Sequence, residues 1–325
     1  MAMLTRRMLG MFAAGAALPG PVLAQGDVTR IVAAFPPGAA LDGVARLLAD
    51  GAARGADGRA RGAMVVDNRA GANGNIAAGL VSRAMPDGRT LLLAIDTTFT
   101  LNPFVYPHLG YEPRDLEPVA IAGTFPLALL VHPSTGITSL EGFAKAARER
   151  PMLYASAGPG SPGHLAMEFL RTSLGLRQRA LDHVPFRGNA EAMTDLLAGR
   201  VKAGFIAVSG GADFVKDGRL RAIAVSGPRR MPILPDVPTV AESGHPGFDV
   251  RFAYVLMAPR GLPAETKQEW AGLVAAVMRE SVTRERMGAW AVDPETGGPR
   301  EAAAWIEAAH TRWGQVAKDS GLRTG

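Results

Sequence analysis

VTRIVAAFPPGAALDGVARLLAD, residues 28–50, passes from an apolar strand pattern through a Pro-Pro-Gly turn into a helix pattern without interruption. The apolar run ends at Phe35-Pro36-Pro37-Gly38, and a short run bounded by such residues reads as a strand. The turn contains no Ser, Cys or His, so any chemistry there belongs to the backbone. Gly38 lets the chain turn closely, and Asp42 is well placed to cap the helix that follows. The amides around Gly38 to Leu41 then stand at the positive end of a helix dipole, where they can hold a carboxylate. A tight βα connection with no ligand would read the same way in this stretch alone.

The same junction recurs outward along the chain. Strand, Gly/Pro/Asn loop and helix start follow one another at FPPGAALD (35–42), NRAGANGN (68–75), SAGPGSPGH (156–164) and FRGNAE (186–191). Strands are expected at 28–34, 63–67, 90–95, 127–132, 152–156, 181–185, 202–208, 220–226 and 252–258. Helices are expected near 42–53, 74–84, 138–149, 163–175, 190–199, 264–282 and 299–317. This alternation predicts an α/β fold with mainly parallel sheets flanked by helices. In such sheets the loops at the carboxyl ends of the strands bind ligands.

Composition narrows the class. The first 24 residues carry Arg6-Arg7, an apolar stretch of small residues and Val22-Leu23-Ala24, the layout of an export signal. Thr5-Arg6-Arg7-Met8-Leu9 resembles a twin-arginine signal, with ordinary Sec export equally compatible. Cleavage after Ala24 would leave a periplasmic chain from Gln25 to Gly325, long enough for two domains. There is no Cys, so stability rests on core packing. The formal charge of +5 includes Arg6 and Arg7, and the rest has no Lys/Arg run and few aromatics, which argues against nucleic acid.

SAGPGSPGH contains G-x-G-x-x-G at Gly158, Gly160 and Gly163, with Asp182 about twenty residues on. A dinucleotide site is nonetheless disfavoured, because Pro159 and Pro162 remove backbone donors and Asp182 falls at the start of its strand. A smaller anion fits better, with Ser156, Ser161 and His164 adding donors. The six histidines show no H-E-x-x-H spacing, and no G-x-S-x-G or G-K-[ST] occurs, so neither metal nor cofactor is expected and an enzyme is the weaker class. Arg69 and Arg187 could each reach a carboxylate bidentately or serve as a loop ion pair. Asn73, Asn75, Asp96, Thr97, Thr98 and Asn102 follow strand ends and are either cleft residues or turn formers.

These segments, with LNPFVY (101–106), HVPFRGNAEAMTDLLAGRV (183–201) and LPDVPTVAESGHPGF (234–248), occur in an order that closely resembles the Bug (TctC-like) receptors, the periplasmic solute-binding proteins of tripartite tricarboxylate transporters. The resemblance runs from about residue 27 to the C-terminus. It implies a two-domain Venus flytrap with two interdomain crossings near residues 125 and 247. Domain 1 would comprise 25–125 plus 248–325, and domain 2 would comprise 126–247. It also implies a monomeric receptor that takes a small carboxylate in the cleft and works with transporter membrane subunits. A ligand sensor for a signalling partner and a periplasmic enzyme are the alternatives. The ligand-binding set drawn from residues and resemblance together is Phe35, Pro37, Gly38, Ala39, Ala40, Leu41 and Asp42 in the first loop. To these are added Asn73, Asp96, Thr97, Thr98 and Asn102 in domain 1. The other lobe would supply Ser156, Ala157, Gly158, Ser161, His164, Arg187, Gly188, Ile206 and Ser209, with Tyr254 from a crossing strand. Ala39 stands where the family commonly has a second Gly. Phe205-Ile206-Ala207-Val208-Ser209 lacks the acid that often faces the cleft, so a ligand without a cationic amine is expected.

Overall fold

A computed structural model describes residues 28–209 and 211–322; the expected export signal lies outside them. The opening segment forms β1 (Thr29–Ala33) and α1 (Ala40–Arg54). Helix α1 buries Leu41, Val44, Ala45, Leu47, Leu48 and Ala52 on one face, the i, i+3, i+4, i+7 recurrence of an amphipathic helix. Each Leu or Val so buried contributes roughly 1.5–3 kcal/mol. The helix stops at Gly55, whose left-handed φ of 71° turns its N–H back to the Ala52 carbonyl, a glycine C-cap.

There follow β2 (Met64–Asn68), α2 (Asn75–Val81), β3 (Thr90–Ile95), two four-residue helices α3 (Thr97–Thr100) and α4 (Asn102–Val105), and β4 (Leu116–Pro126). Next come β5 (Ala128–Val131), α5 (Leu140–Glu149), β6 (Met152–Ser156), α6 (Pro162–Ser173), β7 (Leu181–Pro185), α7 (Asn189–Leu197), β8 (Ala203–Ile206), α8 (Ala212–Lys216) and β9 (Arg221–Val225). The chain ends in β10 (Arg251–Pro259), α9 (Ala264–Arg279), α10 (Ser281–Ala289), β11 (Asp293–Gly297) and α11 (Pro299–Ser320).

The strands form two sheets, ordered β11-β4-β10-β3-β1-β2 and β7-β6-β8-β5-β9. The expected α/β architecture of two helix-flanked sheets is present, and the pairing is mixed. β1–β2, β1–β3, β6–β7 and β6–β8 are parallel, whereas β3–β10, β4–β10, β4–β11, β5–β8 and β5–β9 are antiparallel. Two of the antiparallel pairs, β4–β10 and β5–β9, set side by side the strands that lead out of and back into each sheet. Strand β4 escapes a sequence reading because Pro118, Gly123 and Pro126 interrupt it. Strand β11, DPETG, has little strand propensity and is held by pairing to β4. The helix expected over 264–282 is two helices, since Glu280 is extended at φ −62°, ψ 135°.

The chain passes from the first sheet to the second between Pro126 and Ala128 and returns between Val225 and Arg251. Ser226, fully buried, clasps both passages. Its Oγ accepts from the Leu127 N–H at 2.9 Å and donates to the Val250 carbonyl at 2.6 Å. Its own N–H and C=O bond Leu127 O and Val250 N. Helix α11 spans both units: Trp313 stacks on Phe252 of β10, with ring centroids 5.6 Å apart, and meets Phe169 of α6 edge-on. The loop after β2 meets the loop after β6, where Asn73 Nδ2 donates to the Gly160 carbonyl at 3.2 Å.

Candidate functional site at the strand-to-helix loops

Helix α1 begins at Ala40, two residues before the expected start, so Ala39 is the N-cap and no side chain caps it. Asp42 therefore sits inside the first turn and reaches back instead of capping. Its Oδ2 accepts from the Gly38 N–H at 3.0 Å and Arg46 Nε at 3.1 Å, and its Oδ1 accepts from Asn68 Nδ2 at 3.0 Å. Burial pushes the Asp42 carboxyl up, but the hydrogen bonds from Arg46, Gly38 and Asn68 outweigh it and hold the group below its usual range. The Gly38 amide is thus engaged within the protein, and the Ala39 amide bonds Pro36 O at 3.4 Å. The N–H groups of Ala40, Leu41 and Asp42 have no acceptor among the described residues. Three unpaired donors at the head of a 15-residue helix have the chemistry to accept an anion. The Phe35 carbonyl accepts from Asn68 Nδ2 at 3.1 Å, tying this loop to the end of β2, while Pro37 is exposed.

The second loop lies against the first. Gly74 has φ +93°, and a Cβ there would sit 2.4 Å from Thr98 Oγ1 and 3.4 Å from Ala34, so only glycine fits this approach. Asn73 is itself left-handed at φ 49°. Its carbonyl accepts from Thr98 Oγ1 at 2.9 Å and Asn102 Nδ2 at 3.1 Å. Its Nδ2 donates to Asn102 Oδ1 at 2.8 Å and, across the cleft, to the Gly160 carbonyl at 3.2 Å, with Thr97 Oγ1 at 3.4 Å. Asn73, Thr97, Thr98 and Asn102 therefore come together, and Asn102 also donates to Asn75 Oδ1 at 2.6 Å.

In the second unit, β6 ends at Ser156 and the SAGPGSPGH loop leads into α6, with Ser161 as N-cap and Pro162 in the first turn. The amides of Gly163 and His164 have no acceptor among the described residues, whereas Gly158 N donates to Ser156 Oγ at 3.2 Å and Gly160 N to His164 Nδ1 at 3.2 Å. Ser161 Oγ lies 3.2 Å from Ser156 Oγ. His183 was not among the expected residues, yet its Nε2 lies 2.7 Å from Ser156 Oγ and its ring stacks 3.8 Å from His164. Only the register that pairs Tyr154 with His183 across β6 and β7 reveals this neighbourhood. Burial lowers His164 to about 3, aided by His183, and lowers His183 to about 4. Both rings are therefore neutral at pH 7, and His164, accepting at Nδ1, carries its proton on Nε2. A base titrating near 4 draws a proton from serine poorly at neutral pH, and Ser156 Oγ is already shared among Gly158, Ser161 and His183. The arrangement fixes loop shape rather than activating a nucleophile.

The remaining expected residues are placed as follows. Ala157 is half-buried beside buried Gly158, and the Phe186 carbonyl lies 3.2 Å from where a Gly158 Cβ would stand. Gly188 is the extended N-cap of α7, whose Asn189, Ala190 and Glu191 amides have no acceptor among the described residues; the Arg187 side chain is exposed. Arg69 pairs with Asp67 at 2.9 Å. Ile206 is fully buried and Ser209 half-buried. Tyr254 is buried, its ring 4.8 Å from Phe125, and burial raises its hydroxyl above the usual range. Asp96 is fully buried, accepts from Trp305 Nε1 at 2.6 Å, and has no partner for Oδ1. It fastens the end of β3 to α11.

Solved proteins share this overall fold. R. palustris Rpa4515, described with adipate, superposes at TM-score 0.81 with 31% identity, over 91% of this chain and 98% of its own. The periplasmic binding protein BugD gives 0.77 and 28%, over 91% and 98%. MatC from Rhodopseudomonas palustris, described with bound malate, gives 0.75 and 28%, over 89% and 98%. The family model for the tripartite tricarboxylate transporter family receptor, TctC, matches residues 44–322. A match over that much of the sequence, on a chain that superposes on these solved relatives over about nine-tenths of its length, means that it belongs to the TctC family of transporter receptors.

Proposed function

We propose that this protein is a periplasmic receptor that captures a small dicarboxylate between its two units, leaves it chemically unaltered, and presents it to tripartite tricarboxylate-type membrane subunits. The observation that carries the proposal is the set of unpaired first-turn amides at the heads of α1, α6 and α7, beside the bond by which Asn73 of the loop before α2 reaches Gly160 of the loop before α6. Adipate and malate, named with two relatives, are diacids of the size such opposed donors would suit. Hydrogen bonds to a charged group are worth about 1.5–3 kcal/mol each. Four or five give roughly 6–15 kcal/mol before ordering costs, and micromolar affinity needs about 8. Because donors come from both units, the ligand favours the closed arrangement in which all of them act together.

Strand β8 and the residues after it, Phe205-Ile206-Ala207-Val208-Ser209, provide no carboxylate for an ammonium group. Calorimetric titration of the mature protein with succinate, malate and adipate, and with aspartate and glutamate, tests the reading. The amine-free acids are expected to bind at micromolar concentration, and tighter binding of the amino acids would refute the expected specificity. Mass spectrometry after long incubation should return the acids unchanged; turnover would overturn the receptor role.

A further inference from the structure

A second cavity lies on the other side of the crossing strands. In the first sheet β4 and β10 are central, with ligand-loop strands β3 and β1 on one side and β11 on the other. In the second sheet β6 and β7, which carry the SAGPGSPGH and FRGNAE loops, lie at one end and β9 at the other. A cavity of about 400 Å³ opens beside the β11 and β9 edges, walled by the end of β4, residues 227–233 after β9, and residues 284–294 of α10 and β11. It is in the size range of small-molecule sites, and both units contribute walls.

The lining is apolar below and cationic around. Pro126, Met231, Ile233 and Val292 provide apolar surface, and Arg229, Arg230, Arg251 and Arg284 surround it with a single acid, Asp293. Two of these arginines are taken: Arg251 by Asp249 and Glu295, each at 3.0 Å, and Arg230 by Glu242 at 3.0 Å. Arg229 has only a long contact to Asp293 at 3.8 Å, and Arg284 has no ion pair among the described residues. An apolar floor beside two available guanidinium groups is matched by a molecule with an apolar body and one anionic head. We infer that this cavity is a second binding site, for an amphipathic organic anion, separate from the carboxylate cleft.

The structure supplies a clean way to close the cavity. Gly288 lines it, stands in α10, and a Cβ there would meet nothing within 4 Å, so a side chain can start from this wall, and Gly288→Trp is the variant designed to obstruct the cavity. The probe is the amphipathic anion 8-anilinonaphthalene-1-sulfonate, titrated by fluorescence into the mature protein. The neutral N-phenyl-1-naphthylamine serves as the control. One saturable site is expected, weakened at least about tenfold, or 1.4 kcal/mol, by Gly288→Trp. The Arg229→Ala/Arg284→Ala pair should weaken it similarly, with melting temperatures checked for each variant. Should Gly288→Trp fail to fold, the arginine pair decides. Absence of a saturable site, indifference to these substitutions, or equal binding of the neutral probe would overturn the inference.

Discussion

Asp96 shows how one side chain sets a pH dependence. Burial pushes its carboxyl up to about 7, against the hydrogen bond from Trp305. A carboxyl raised above its unfolded value, about 3.9, favours the fold while protonated, and that contribution is lost as pH rises through the folded value. His164 and His183 act in the opposite sense. Their values are depressed, so their contribution is present above the unfolded value, near 6.5, and fades as pH falls. Asp96→Asn keeps an acceptor for Trp305 and cannot ionise. In urea melts the variant should gain on the wild type by about 2–4 kcal/mol on going from pH 4 to pH 8. Comparison of the two proteins cancels the histidines, and a constant difference across that range would show that Asp96 does not titrate as described.

At the scale of elements, the head of α1 is where the proposed grip on the ligand is tested most simply. Ala40 is its first residue and Ala39 before it is extended at φ −72°, ψ 157°, the one place in a helix where proline fits and the conformation it asks of its predecessor. Ala40→Pro therefore removes one unpaired donor while leaving the helix intact. The melting temperature should be nearly unchanged while calorimetry shows dicarboxylate affinity reduced about 10–100-fold; full affinity would remove Ala40 from the site. Much of this element was legible in advance, because the apolar spacing of Val44, Leu47 and Leu48 and the Pro-Pro-Gly turn are local signals. The true helix start was not, because Ala39 and Ala40 carry no capping side chain and Asp42 looks like a cap. Nor were β4, β11 and the Ser156–His183 contact, which exist only through pairing with distant strands. Sequence shows which loops can bind; long-range register shows which of their amides are already taken.

Over the whole molecule, two sheets are joined by two passages of the chain, and Ser226 is where both crossings are held. Ser226→Ala would leave the Leu127 N–H and the Val250 carbonyl each short of a buried partner, at about 1–3 kcal/mol. Thermal or urea unfolding should register that loss, and no change would mean the clasp is replaceable by solvent. Helix α11 adds a second tie through Trp313, Phe169 and the Gln178–Ser320 bond of 2.9 Å, so it contacts both sides of the crossings. The central claim, that main-chain nitrogens of both units grip an organic acid, is open to direct observation by amide-resolved NMR of the mature protein titrated with succinate, malate and adipate. The account predicts large, saturable downfield shifts for the Ala40, Leu41 and Asp42 amides, and for those of Gly163 and His164, with at least one of these acids. Unchanged resonances for all five while calorimetry records binding, or at saturating concentrations of every acid, would contradict it.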